Sequence, residues 1–430
     1  MIFSILLYIS AATALLAVIF MIFRCFGKDE VRLKSFVVSL DRAPHLKGEH
    51  FTKKDGVRAI TWGFAALCLA YIVSLIYCGI FKNEISLDSF IRSWKQYDSY
   101  HYLGIAEHGY AGYTEGGEHY FVVFFPLYPW LIRLLHLLVS NYALCGLIIS
   151  ALSYVAACYV FTRLVIERFG HKIGWDALAF LSAYPFAFFF SSLHTESLFL
   201  LLSVSCFYFI EKRRYCLVGL FGMLAALTRM QGLFLALIAL MQYCITEHPI
   251  EKIKTRDWVG MVRDLYGKLL PVALIGVSAL IYLYINYHVT GNALSFMIFQ
   301  KQRWNQGFMP FMQALQNLWW VTLNPTEVFY SFTTWGAEIV IYFFCIAILI
   351  YGVRRLPPIW TFYFLICIFL NISLSNPLSF CRYIACAFPL AVTLAIHRYK
   401  RPQAGMFLLI SFGVLQGVYM LAYFAGMHVC

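Results

Sequence analysis

Charge is scarce in this chain. Of 430 residues, 13% are Asp, Glu, Lys or Arg and 61% are apolar, a balance that excludes a soluble globular domain, where roughly a quarter of residues are charged. Paired Cys-x-x-Cys spacing is missing among the 13 cysteines. They lie mostly inside apolar runs and are read as packing residues, with neither a disulfide framework nor a cysteine metal site expected. His-Glu-x-x-His and His-x-x-x-His spacings are also missing, as are a glycine-rich phosphate loop, a Gly-x-Ser-x-Gly elbow and a haem-attachment sequence. A zinc-hydrolase, nucleotide-binding or serine-hydrolase reading therefore has no support. No metal or other cofactor is expected, with a divalent ion left open.

Long apolar runs are what the chain has instead. They occur near 2–23, 59–81, 142–163, 174–191, 196–211, 215–228, 232–246, 269–288, 328–351, 357–374, 383–397 and 403–427, each near the ~20 residues a membrane-spanning helix needs or a shorter, broken version of it. Lys and Arg number 33 against 21 acids. In a soluble protein that excess would suggest nucleic acid, but here the cations sit in short clusters at 24–58, 163–172, 211–215, 246–268, 353–358 and 397–402. Counting alternate loops as cytoplasmic puts all six clusters on one side, as the positive-inside rule requires. The fold class is therefore all-α: a polytopic membrane protein of about twelve spans. The run at 2–23 lacks the basic start and small-residue end of a signal peptide and is read as a retained span with its N-terminus outside. The piece FVVFFPLYPWLIRLLHLLVS, residues 121–140, would reverse every later loop if it crossed. Pro126, Pro129, Arg133 and His136 fit an interfacial helix instead. This leaves a large first outer loop, 82–141, and smaller ones near 191–195, 228–232, 289–327 and 375–382.

The outer loops gather the polar residues. YDSYHYLGIAEHGY, residues 97–110, places Asp98, His101, Tyr102, Glu107 and His108 just beyond the second span. A carboxylate at the membrane surface is partly desolvated, which raises its pKa from about 3.9 toward the range of a general base. Arg229, followed by Gln231 and Gly232 in TRMQG, sits where a helical hairpin breaks, a feature tolerated at membrane depth where it lines a site. Arg382, beside Tyr383, is an isolated cation at the outer end of a span. With no acid adjacent in sequence, the two arginines suggest an anionic ligand, and a phosphate suits guanidinium geometry. Glu196 opens a span just after His194, as an N-terminal dipole partner or a site acid. Trp304 and Asn305 lie in an outer loop.

In order along the chain, YDSYHYLGIAEHGY, FFPLYPWLIRLL, AYPFAFFFSSLHTESLFLLLS, LAALTRMQGLFLAL, WNQGF and SFCRYIACAFPL resemble the PIG-V type of GPI mannosyltransferase (GPI mannosyltransferase 2) and its prokaryotic relatives, over about 94–390. Where that family has Trp before its acid, this chain has Tyr97. The resemblance implies a GT-C class membrane glycosyltransferase moving a hexose, mannose above all, from a polyprenyl-phosphate donor to a lipid-linked or glycan acceptor on the extracytoplasmic or lumenal side. It implies an essential acid in the first outer loop, at the position of Asp98. From charge placement Asp98 is then expected to be the base of an inverting transfer and Arg229 and Arg382 to hold the donor phosphate, with substrate contacts expected from His101, Tyr102, Glu107, His108, His194, Glu196, Gln231, Trp304, Asn305 and Tyr383. Residues 1–58 then read as an added N-terminal span and basic segment, and 59–430 as the catalytic domain. The expected partners are the bilayer, the sugar carrier and the acceptor, without nucleic acid. Short loops favour a prokaryotic cell membrane, with the endoplasmic reticulum the eukaryotic equivalent. A transporter or flippase of lipid-linked sugars is the rival, weakened by the absence of an internal repeat.

Overall fold

The computed structural model describes residues 47–324, 334–376 and 379–429. The expected span at 2–23, and most of the basic segment after it, lie outside the described residues. The described chain is helical, with two isolated β-bridges, Glu115 with Glu118 and Phe308 with Leu374, in place of any strand.

Among the described residues five helices are long and apolar enough to cross a membrane: Lys53–Phe81, Tyr142–Phe169, Met230–Glu247, Trp258–Thr290 and Pro402–Phe424. Tyr215–Thr228, Gly336–Gly352 and Pro358–Ile372 are shorter apolar helices. The count of twelve is thus met only in part, and two expected spans take a different form. In the 174–191 run the helix His171–Ala183 stops before Pro185, and the chain continues through turns and a 3-10 segment, Ala187–Ser191, to the helix Glu196–Glu211. In the 383–397 run a short helix, Phe380–Ile384, precedes the helix Pro389–Lys400. The residue before a proline is pushed out of helical conformation, and a proline is tolerated only in a helix's first turn. Both irregular stretches are buried, which satisfies the rule that non-helical backbone at membrane depth is covered by protein or lines a cavity.

Packing follows the sequence through the bundle. Tyr142–Phe169 lies against Lys53–Phe81, His171–Ala183 and Glu196–Glu211; Tyr215–Thr228 lies between Glu196–Glu211 and Leu270–Thr290; Pro389–Lys400 packs on His171–Ala183 and Pro402–Phe424. The piece at 121–140 contains no helix of spanning length. Its helix, Leu127–His136, is only 10 residues long. Tyr128 donates to the Gly146 carbonyl at 3.0 Å, while Trp130, Leu134, Leu137 and Leu138 stay exposed, the division expected of an interfacial helix.

The two ends of the bundle differ in chemistry. At one end the Glu49 amide donates to the Ile166 carbonyl, His171 meets Glu49 and Asp55, Lys212 pairs with Glu167 at 2.7 Å and Arg398 with Asp176 at 3.0 Å. Tyr351 packs on His397, and Gly219 touches the Pro271 carbonyl, which brings the loops at 353–358 and 246–268 to the same end. Basic clusters distant in sequence are therefore neighbours, as the charge pattern requires. Asp98, Glu196, Arg229 and Arg382 lie at the opposite end.

Candidate functional site

Asp98 is placed by the residues before it. Trp94 is fully buried against Tyr71 and Phe424, and Tyr423 donates to the Trp94 carbonyl at 2.8 Å. Tyr97 takes a left-handed conformation, φ 50°, packs on Tyr423 and donates to the Met427 carbonyl. Tyr97 is thus an anchor to the end of the last helix. From Asp98 the helix Ser99–Gly112 begins. It breaks at Gly109, φ 74°, where the side chain of Arg133 takes up the freed carbonyls of Ala106 and Glu107 at 2.7 and 2.9 Å.

Arg229 and Glu196 come from two further chain reversals. Arg229 is the extended residue between the helix Tyr215–Thr228 and the 3-10 turn Met230–Leu233. That turn folds back so closely that a Cβ on Gly232 would stand 2.3 Å from the Ala225 carbonyl carbon. Glu196 is the first residue of its helix and fully buried. Arg382 lies in the short helix Phe380–Ile384, where the Cys381 amide donates to Glu338 at 3.1 Å.

These four side chains form one ionic chain. Arg382 Nη1 donates to Asp98 Oδ2 at 2.8 Å and its Nε to Glu196 Oε1. The same oxygen accepts from Arg229 Nη2 at 2.5 Å, and Arg229 Nε donates to Thr195 Oγ1 at 2.7 Å. Tyr383 lies under both guanidinium groups, 4.5 Å from Arg229 and 5.3 Å from Arg382, and Phe189 is 5.2 Å from Arg382, in cation–π range.

The arrangement corrects two expectations. Each arginine has an acid beside it, contributed by distant parts of the chain. Nor is Asp98 raised toward a base's range: burial acts in that direction, but Arg382, with His194 and His101, outweighs it and holds the carboxyl below its usual value. For His101, burial pushes the imidazole below its ordinary value against the pull of Asp98.

The remaining expected residues divide. Tyr102 is buried edge-on to Phe124 and Tyr128. His101 stacks on Phe121, with Nδ1 3.3 Å from the Tyr113 hydroxyl. His194 is fully buried beside Phe189; Ser192 Oγ is 2.8 Å from Nδ1, and Nε2 has no partner among the described residues. Trp304 stands edge-on to His101 and Phe124, at the rim. Asn305 makes a left-handed turn there, and its carbonyl accepts from Ser375. Gln231 is tied to Asn371 at 2.8 Å. Glu107 and His108 are not brought to the cluster. Their side chains are each 53% exposed and lie 3.8 Å from one another, with the His108 ring stacked on Tyr113, because the helix turns them to its outer face.

Sequence reading missed Thr195, Phe189 and Glu338. A lone carboxylate in the apolar helix Gly336–Gly352 was a signal for the last, since an acid within a span is rarely without a task. Thr195 and Phe189 carried no such mark. Among the described residues no group of three or more His, Cys, Asp or Glu side chains converges as metal ligands do. A groove of about 1080 Å³ lies away from the ionic chain. It lies between Lys53–Phe81, His171–Ala183 and Pro402–Phe424. Its inner mouth carries Lys53, Lys54 and Arg58; its other end, at Phe188 and Ser191, is one ring away from the site, since Phe188 stacks on Phe189 at 4.6 Å.

No protein-family model matches the chain, nor does any curated protein, so the resemblance to the PIG-V type rests on its motifs alone. Among solved structures, the chain is similar to the archaeal oligosaccharyltransferase AglB from Archaeoglobus fulgidus, in complex with an inhibitory peptide and a dolichol-phosphate. The TM-score is 0.38 and the identity 13%, over 86% of this chain and 56% of that one. The chain thus spans little more than half of that protein's length, and at this TM-score the likeness fixes neither fold nor activity.

Proposed function

We propose that the chain is a membrane glycosyltransferase of the GT-C kind that moves a hexose, mannose by its motifs, from a polyprenyl-phosphate donor to a lipid-linked or glycan acceptor on the side away from the basic loops. One observation supports this above the others: Asp98, at that end of the bundle, is joined to Arg382 at 2.8 Å, and Arg382 to Arg229 through Glu196. A carboxylate next to two guanidinium groups sets a proton acceptor beside a place for phosphate.

The reaction is a single displacement. The acceptor hydroxyl oxygen bonds to the anomeric carbon, its proton passes to Asp98, and the bond from that carbon to the phosphate oxygen breaks. One base opposite the leaving group gives inversion, by analogy with glycoside hydrolysis. The leaving polyprenyl phosphate gains negative charge, which Arg382 and Arg229 stabilise. The isoprenoid chain takes the apolar groove that ends at Phe188. His101, Tyr102, His194 and Trp304, around Asp98, contact sugar or acceptor.

The test is transfer by the purified chain from polyprenyl-phosphate mannose, read as acceptor-dependent release of polyprenyl phosphate. Asp98→Asn keeps the shape and removes the base, with a loss of about 10²–10⁴-fold expected. Near-normal transfer by that variant would overturn the role of Asp98. Movement of the sugar lipid across vesicles without bond cleavage would favour the flippase reading instead.

A further inference from the structure

Arg382 is enclosed on nearly every side. Aromatic rings of Phe189 and Tyr383 lie against it, and its Nε is committed to Glu196. Its Nη1 holds Asp98, while Nη2 is buried with no hydrogen-bond partner among the described residues. The guanidinium side chain is 3% exposed and that of Asp98 26%. Asp98 therefore stands between Arg382 and the outside, on the one edge where an incoming anion has donors to meet.

Resting on the glycosyltransferase reading above, we propose that Arg382 is a counter-ion exchanged between two anions: the donor phosphate takes its Nη1–Nη2 edge by displacing Asp98, and only the displaced carboxylate acts as base. The two acids and two arginines balance one another, so an incoming phosphate competes with Asp98 for the positive charge of Arg382. During transfer the phosphate gains a negative charge as Asp98 gains the proton, so the total charge of the pocket is conserved. The guanidinium fork suits phosphate and carboxylate alike, which makes the swap possible without rebuilding the site. The consequence is an order of events: the donor must bind before the base is available. Acceptor bound alone meets a carboxylate already engaged.

The experiment measures binding, without turnover. Farnesyl phosphate, a short polyprenyl phosphate, is titrated into the purified full-length chain in detergent, for the natural protein, Asp98→Asn, Asp98→Ala and Arg382→Gln. The two Asp98 variants remove the competing anion and are expected to bind about tenfold more tightly, ~1.4 kcal/mol; Arg382→Gln is expected to bind at least about tenfold more weakly. Two Asp98 variants guard against one that misfolds, and thermal unfolding identifies any such case. Unchanged or weaker binding in both folded Asp98 variants, with the loss in Arg382→Gln intact, overturns the exchange and leaves the glycosyltransferase reading standing. No binding of farnesyl phosphate to the natural chain counts against both.

Discussion

Glu196 holds two guanidinium groups with one oxygen, and all three charges are nearly or wholly out of solvent. Removing the acid leaves two like charges facing each other without compensation, the costly way to break a buried ionic group. Glu196→Gln is expected to destabilise the chain by roughly 3–5 kcal/mol, visible as a lowered unfolding midpoint in detergent. A shift within error would show that the arginines find other partners. Asp98 makes a prediction of a different kind. Its folded pKa is depressed by Arg382, with His194 and His101 adding to the effect, so its pairing supports the fold above the ordinary carboxylate value and is lost as pH falls through the lower, folded value. For the free enzyme, the acid limb of kcat/KM for the donor should accordingly lie below about pH 4. Once phosphate has taken Arg382 the depression is relieved, and the acid limb of kcat should sit at higher pH. Coincident limbs would mean that Asp98 keeps its partner throughout the cycle.

Among the elements, the reversal at Met230–Leu233 is the tightest. With 2.5 Å between a Cβ at Gly232 and the Ala225 oxygen, the turn closes on its parent helix only while position 232 has no side chain. Gly232→Ala is expected to cost about 1–3 kcal/mol by overpacking and, because Arg229 is three residues away, to lower transfer more than farther substitutions of equal cost. Retained stability and activity together would show that the turn adapts. This break was readable from TRMQG, since a glycine beside a cation between apolar runs has few other uses. Helix limits were readable too: the 215–228 run is the helix Tyr215–Thr228, and 357–374 holds Pro358–Ile372, because apolar runs end where charge or proline begins. The pairing of the site was not readable. Its bonds join residues 33, 186 and 284 positions apart, and no local pattern says which acid meets which arginine. The same blindness made Asp98 look like a carboxylate raised by burial, when a partner from near the chain's end lowers it. It also admitted Glu107 and His108, neighbours in sequence that the helix turns outward.

For the molecule as a whole, the decisive question is what the long groove holds. Its wall on the first described helix runs from Lys53 to Ala70, about 26 Å at 1.5 Å per residue, close to the ~30 Å hydrocarbon thickness of a bilayer. Small side chains, Ala65, Ala66, Ala70, Ala183, Ala187 and Gly413, keep it open. Past the cations at its mouth, Trp62 and Tyr154 both donate to Ser182 Oγ at 3.0 and 2.9 Å, which leaves mostly apolar surface to an occupant. A groove nearly as long as the membrane is thick suits an isoprenoid chain, whereas an acyl chain confined to one leaflet would fill only part of it. Ala66→Trp places a large ring across this path, far from Asp98 and the arginines. If the carrier's chain lies there, KM for a long-chain polyprenyl-phosphate donor should rise about tenfold, ~1.4 kcal/mol, with kcat little changed, while a donor with a chain of only a few carbons should be used as before. Equal effects on both donors would mean the ring has disturbed the site itself, and no effect on either would send the isoprenoid chain elsewhere on the bundle. The comparison separates the two ends of the proposed substrate: on this proposal the arginines answer for its phosphate, and the groove for its tail.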